Sequence, residues 1–190
     1  NTEDQHSYIQ NAQERGYDIL VLDGPIDNHF INALEQKFEK SHFVRVDAEV
    51  ADKLIKKTDD LPSKLSEEQT KQLTGLFESQ VNKAVYHISV ENLGENDLPV
   101  TVTQNEFMRR MKDMSAMGGG QYAFMGNMPD SYNLVLNSNH KLMGQLLASE
   151  SQEEKEKMIK QLIDLALLSQ NLLKGEALTG FIKRSVDIIQ

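Results

Sequence analysis

The stretch from Ser149 to Ile189 constrains this chain more than any other, because it carries more apolar helical surface than one small sheet can cover. Ser149-Glu150-Ser151-Gln152 reads as a capping box, in which a serine side chain and a glutamine three residues on satisfy each other's backbone N–H groups at a helix start. The helix expected from there to Leu173 has Met158, Leu162, Leu165, Ser169 and Leu172 at alternating spacings of four and three. It also has Ile159, Ile163, Ala166, Leu167, Leu168 and Leu173, so it is apolar on more than one face. Gly175 fits a C-terminal cap. A last helix, from about Ala177 to Ile189, places Leu178, Phe181, Ile182, Val186 and Ile189 on one side. The surplus is expected to be buried against a second copy in a symmetric helical-bundle dimer. The interface expected from this pattern is Met158, Leu162, Leu165, Leu168, Leu172, Leu178, Phe181, Ile182, Val186 and Ile189. The alternative is a monomer in which these helices form a layer over the sheet.

The first segment reads as α/β. A helix from Asp4 to Arg15 is ended by Gly16, and Tyr17-Asp18-Ile19-Leu20-Val21-Leu22 has the nearly continuous apolar character of a strand buried on both faces. After the turn Asp23-Gly24-Pro25, a helix from about Asp27 to Phe38 has Phe30, Leu34 and Phe38 at spacing four, with Ile31 beside them. Phe43-Val44-Arg45-Val46 is a second short strand. Together these make a βαβ unit, too small to stand alone and expected to be the end of a larger α/β domain. The polar stretch Lys56 to Lys64, with Pro62, is the boundary candidate. Ser66-Glu67-Glu68-Gln69 is a capping box opening a helix to about Asn82. Tyr86, Ile88 and Val90 then alternate with polar residues as in a half-buried strand, 92–97 is a turn, and 99–103 is the returning strand of a hairpin. Tyr132 to Asn137 is a third strand that can complete a three-stranded sheet, about the minimum for independent stability.

Between the second and third of these strands lie six of the chain's eight methionines, all from Met108 to Met128. On a helix, Phe107, Met111 and Met114 share one face, while Arg109, Arg110, Lys112 and Asp113 fall mostly on the other. Methionine is flexible and polarizable, so such a face repacks against many apolar partners. Ordinary core packing is the competing explanation. The run Gly118-Gly119-Gly120 favours a loosely tethered arm over a rigid core element.

Composition narrows the function classes. The 190 residues are 39% hydrophobic and 26% charged, which is ordinary for a globular protein able to bury a real core. The absence of cysteine excludes disulfides and thiolate metal sites and agrees with a reducing compartment. No apolar run approaches the roughly 20 residues that span a bilayer, and no segment of these residues is read as a signal peptide. A formal charge of −9 argues against a general nucleic-acid binder. The triple glycine lacks the residues of a phosphate loop or dinucleotide fingerprint. The five histidines (His6, His29, His42, His87 and His140) show no zinc-helix spacing. Asp23 stands where a receiver domain keeps its phosphoacceptor, but the other parts of a receiver do not follow, and the residue is read as starting a turn. No catalytic residues, cofactor-binding residues or metal ligands are assigned.

Three segments nonetheless look familiar. Val21-Leu22-Asp23-Gly24-Pro25-Ile26-Asp27, just before an apolar helix, resembles the "L-x-D-P-I-D-E" segment late in the middle domain of the ninety-kilodalton heat-shock (Hsp90) chaperones, departing from it at Gly24 and Asn28. Met111 to Gly120 resembles the C-terminal domain of the family's bacterial branch. Leu136-Asn137-Ser138-Asn139-His140 resembles its "N-x-x-H-P" motif, with Lys141 where proline is usual. The three occur in the family's order.

The resemblance implies that residues 1–58 are the C-terminal end of a middle domain and 62–190 a C-terminal dimerization domain. The implied fold class is α+β: a terminal βαβ piece, then a small three-stranded antiparallel or mixed sheet with helices and a helical-bundle dimer interface. It implies a fragment of an ATP-driven, bacterial, cytoplasmic chaperone of the stress response. The ATPase domain, with its ATP and Mg, and the middle-domain arginine that assists hydrolysis would lie upstream. The chain lacks the acidic Glu-Glu-Val-Asp tail of eukaryotic cytosolic members, which fits the bacterial branch. Expected partners are a second copy, non-native client proteins and co-chaperones, with no nucleic acid or membrane. The expected client-binding residues are Phe107, Met108, Met111, Met114 and Met117. The alternative from another class is a homodimeric scaffold or adaptor for one specific protein, distinguished by its narrow binding.

Overall fold

The computed structural model describes residues 3, 5–24, 26–48, 61–104 and 131–189. They contain six helices and one small mixed sheet, the α+β class expected. The chain divides into two compact units, one carrying the first two helices and the other the sheet and the remaining four.

In the first unit, α1 (His6–Glu14) buries Tyr8 and Ala12, one turn apart. It ends as the sequence predicts. Gly16 takes φ 74°, and N–H groups of Gly16 and Tyr17 donate to the carbonyls of Gln13 (2.8 Å) and Ala12 (3.1 Å). That is the paired ending in which a left-handed residue satisfies orphan carbonyls. The Asp47 carboxylate accepts from Gln5 Nε2 at 2.8 Å and Arg45 Nε at 2.7 Å. Burial raises the Asp47 carboxyl, but the Arg45 and Gln5 hydrogen bonds and the guanidinium charge outweigh it and hold the group below its ordinary range. Burial, and secondarily that carboxylate, push the Tyr8 phenol upward. At α2 (Asp27–Lys37), Asp27 accepts the Gly24 N–H at 2.6 Å, closing the turn before the helix.

Two expectations for this unit are corrected. Residues 17–22 and 43–46 run in no strand ladder of the described residues. The expected buried strand has Leu20, Val21 and Leu22 exposed. In the α2 row Phe30 and Phe38 are likewise exposed, while Ile31 and Leu34 are half-buried. Apolar character can specify a strand that is covered on both faces, but the ladder must come from neighbouring strands. Here the two segments do not supply one for each other.

In the second unit, α3 (Glu67–Glu78) starts at the predicted capping box. Ser66 Oγ accepts the Gln69 N–H, and Gln69 Oε1 accepts the Ser66 N–H. Its buried face, Leu73 and Phe77, packs toward β1 (Tyr86–Glu91). The strands β2 (Val100–Gln104) and β3 (Tyr132–Asn137) do not extend the sheet in chain order, which is β1-β3-β2. The expected hairpin therefore does not form, because β3 inserts between its two arms. β1 and β3 are parallel, with Tyr86 opposite Tyr132 and their rings stacked at 6.0 Å. The Asn137 N–H donates to Pro99 O at 3.0 Å, so the end of β3 meets the start of β2 and these two run antiparallel. The central position explains why Leu134, Val135, Leu136 and Asn137 are all buried. Leu134 and Leu136 join Ile88, Val100 and Val102 beneath the helices.

A helix not read from the sequence, α4 (Lys141–Ala148), follows β3 and puts Met143 and Leu146 into the core. The next helix, α5 (Gln152–Leu168), is capped by Ser151, whose side chain accepts the Glu154 N–H, rather than by Ser149. It ends at Leu168, short of the expected Leu173. Asn171 takes φ 55°, and the Asn171 and Leu172 N–H groups donate to Leu168 O (3.0 Å) and Leu167 O (2.9 Å). Asn171 therefore does the capping assigned to Gly175, which instead opens α6 (Gly175–Ile189) at φ 58°.

Candidate association surface

The helices α5 and α6 pack against each other: Gln161 Nε2 donates to Ser185 Oγ at 2.9 Å, and Arg184 reaches Asp164, one turn further along α5. One side of α5 enters the core through Ile159, Leu162, Ile163, Ala166 and Leu167. Buried among them, 2% exposed, is Asp164. Its carboxylate pairs with the Arg184 guanidinium and stands 3.5 Å from Lys160 Nζ. A carboxylate this deep is tolerated only with such partners. Burial first, and the Asp164 charge second, raise the Tyr86 phenol, so the carboxylate is felt as far as the start of β1.

The ten residues expected at a dimer interface divide into two sets. Leu162 and Phe181 are buried in this chain's own core, and Met158, Leu172 and Leu178 are partly buried against it. Leu165 (47% exposed), Leu168, Ile182 (53%), Val186 (49%) and Ile189 (84%) are open. The open residues of α6 lie at i, i+4 and i+7, one row of the helix. Sequence reasoning missed Ile188, also exposed, because it falls outside that row. It also missed Asp164 and Arg184, whose only signal is a single acid inside the apolar run 162–168 and a basic residue twenty positions on. Charged neighbours border the surface. Lys157 pairs with Glu153 at 2.7 Å, and that hydrogen bond and charge raise the Lys157 ammonium and lower the Glu153 carboxyl.

A second polar cluster occupies the end of β3, the segment singled out as a motif. Asn137, Ser138 and Asn139 are buried. Asn137 Nδ2 donates to Gly94 O (2.8 Å), Ser138 Oγ to Asn92 Oδ1 (2.7 Å), and Asn139 Nδ2 to Leu93 O (3.0 Å). Asn139 Oδ1 accepts the Lys64 N–H at 2.9 Å. His140 Nδ1 accepts the Leu142 N–H at 3.2 Å and so caps α4. Burial, then the Lys141 charge, lower the His140 imidazole. The segment thus joins the 92–97 turn, the approach to α3 and the start of α4, an arrangement that fixes loops rather than presenting reactive groups.

The expected client-binding residues Phe107, Met108, Met111, Met114 and Met117 lie outside the described residues. Among the described residues no group of histidines and carboxylates is placed to hold a metal ion, and no helix is long and apolar enough to cross a membrane.

An α+β piece whose last two helices leave an apolar row open is what the comparisons with known proteins extend. A family model described as Hsp90 protein matches residues 1–181, and the chain belongs to that family. The chaperone protein HtpG of Bacteroides thetaiotaomicron is 37% identical over 256 aligned positions, taking in 100% of this chain and 37% of that protein. HtpG of Bacteroides fragilis strain 638R is 35% identical over the same shares. HtpG of Porphyromonas gingivalis strain ATCC 33277 is 34% identical, over 95% of this chain and 36% of the relative. The chain therefore spans little more than a third of the length of these relatives.

Proposed function

We propose that these residues are the dimerization and client-binding part of a bacterial, cytoplasmic, ATP-dependent chaperone. Residues 1–58 end its middle domain, and 62–190 form its C-terminal dimerization domain. The catalytic work, with ATP and magnesium, is assigned to sequence outside these 190 residues, and this part is not itself an enzyme. The observation that carries the reading is the open apolar row of α6, with Leu165 and Leu168 of α5, in a member of the Hsp90 family. A self-complementary apolar face is what a two-fold interface uses. Holding two chains together at one end makes meetings between their other domains effectively intramolecular. The methionine-rich segment then offers adaptable apolar contact to non-native proteins.

Two variants test the parts separately. Leu165→Glu places an unpaired charge on the proposed interface and is expected to convert the dimer to monomer in light scattering while leaving the helical circular dichroism unchanged. A dimer that survives it puts the interface elsewhere. Met111→Gln with Met114→Gln is expected to weaken capture of several unrelated unfolded proteins with the dimer intact. Loss of the dimer in that variant would make the methionines packing residues. Selective capture of one partner only would favour a scaffold.

A further inference from the structure

Hydrophobic burial is non-directional, and α6 offers it two rows to choose from. Leu178, Phe181, Ser185 and Ile188 form one, and Ile182, Val186 and Ile189 the other, about 100° away round the helix. The second row is wholly apolar, yet the first faces α5. Phe181 is buried there, and Ile182 and Val186 are open. Polar contacts distinguish the rows. Ser185 Oγ meets Gln161 Nε2, and Arg184 meets the buried carboxylate of Asp164. Turning α6 to bury Ile182 and Val186 would carry Arg184 away and leave that carboxylate only Lys160, whose side chain is half exposed. Charge burial penalises that alternative, whereas the apolar pattern alone permits it.

We propose that the Asp164–Arg184 pair is a positioning device for self-association. It fixes the rotation of α6 about its own axis and so decides which row is offered to a second copy. Neither residue needs to touch the partner. Buried ion pairs add little stability over apolar residues of similar size, but some select one arrangement among several. The inference rests on the dimer reading above.

The test uses the 190-residue chain with two changes, Asp164→Leu together with Arg184→Leu, and with Arg184→Lys alone, which keeps the charge but not the planar fork. The double variant is expected to keep its helicity and unfolding midpoint, while the dimer dissociation constant from sedimentation rises about tenfold or more. Arg184→Lys is expected to shift it the same way by less. Because the chain has no cysteine, single reporters read the rotation directly. In the parent chain, held dilute, Ile182→Cys should react quickly with a thiol reagent and Phe181→Cys slowly. In both pair variants this contrast should narrow. An unchanged contrast and an unchanged dissociation constant in a folded variant overturn the proposal while leaving the dimer reading intact. A parent chain that is monomeric at every concentration sinks the dimer reading, and the thiol contrast then still decides whether the pair sets the rotation.

Discussion

His140, singled out in the sequence only as part of a family motif, is a structural cap. Its Nδ1 accepts a backbone N–H at the start of α4, so the capping form is the neutral imidazole. Burial holds its pKa below the ordinary 6.5. Above that value both folded and unfolded chains carry the neutral ring, and the cap is fully present. As pH falls below 6.5, the unfolded chain takes up a proton that the folded chain resists. Stability is therefore lost until the folded-state pKa is passed. Asparagine caps well and does not titrate. Denaturant midpoints of the parent and His140→Asn should diverge between pH 7 and pH 5, with the parent falling more steeply. Parallel curves would show that the imidazole is free to protonate in the fold. The buried amides of Asn137 and Asn139 were legible only as parts of a resemblance. Their bonds reach 43 to 75 residues along the chain, and no local pattern encodes such partners.

At the scale of elements, what was local was readable. The capping box at Ser66 and the left-handed Gly16 depend on neighbours within four residues, and both stand where expected. Ser66→Ala removes one half of that box and should lower stability by about 1 kcal/mol, measured as a shift in denaturant midpoint with unchanged slope. No shift would mean that packing of Leu73 and Phe77 alone holds the first turn. The misreadings also have physical causes. Helix α4 is eight residues with a glycine inside and a histidine cap, so neither period nor start signal announced it. The order β1-β3-β2 is a choice among pairings that alternation cannot make, since each strand's pattern says which face is buried and not which neighbour it has. Asn171 took the cap assigned to Gly175 because either residue tolerates the left-handed region, and the hydrogen bonds decide.

For the whole molecule, the sequence announced a surplus of apolar surface on the last two helices but could not divide it. Periodicity ranks Leu162 with Leu165 and Phe181 with Ile182. Only the tertiary packing, with the polar contacts between α5 and α6, separates the member of each pair that enters the core from the one left open. That division turns a general expectation of a bundle into a defined face built on Leu165, Leu168, Ile182, Val186 and Ile189. The proposed function requires two copies to bury that face together. Light scattering on the eluting peak of a size-exclusion column, over a wide range of loading concentrations, measures this most directly. The predicted mass is about 43 kDa, twice the 21.5 kDa of one chain, with dissociation only on dilution. A mass of 21.5 kDa at every concentration would rule out the dimer and leave that face without its partner copy.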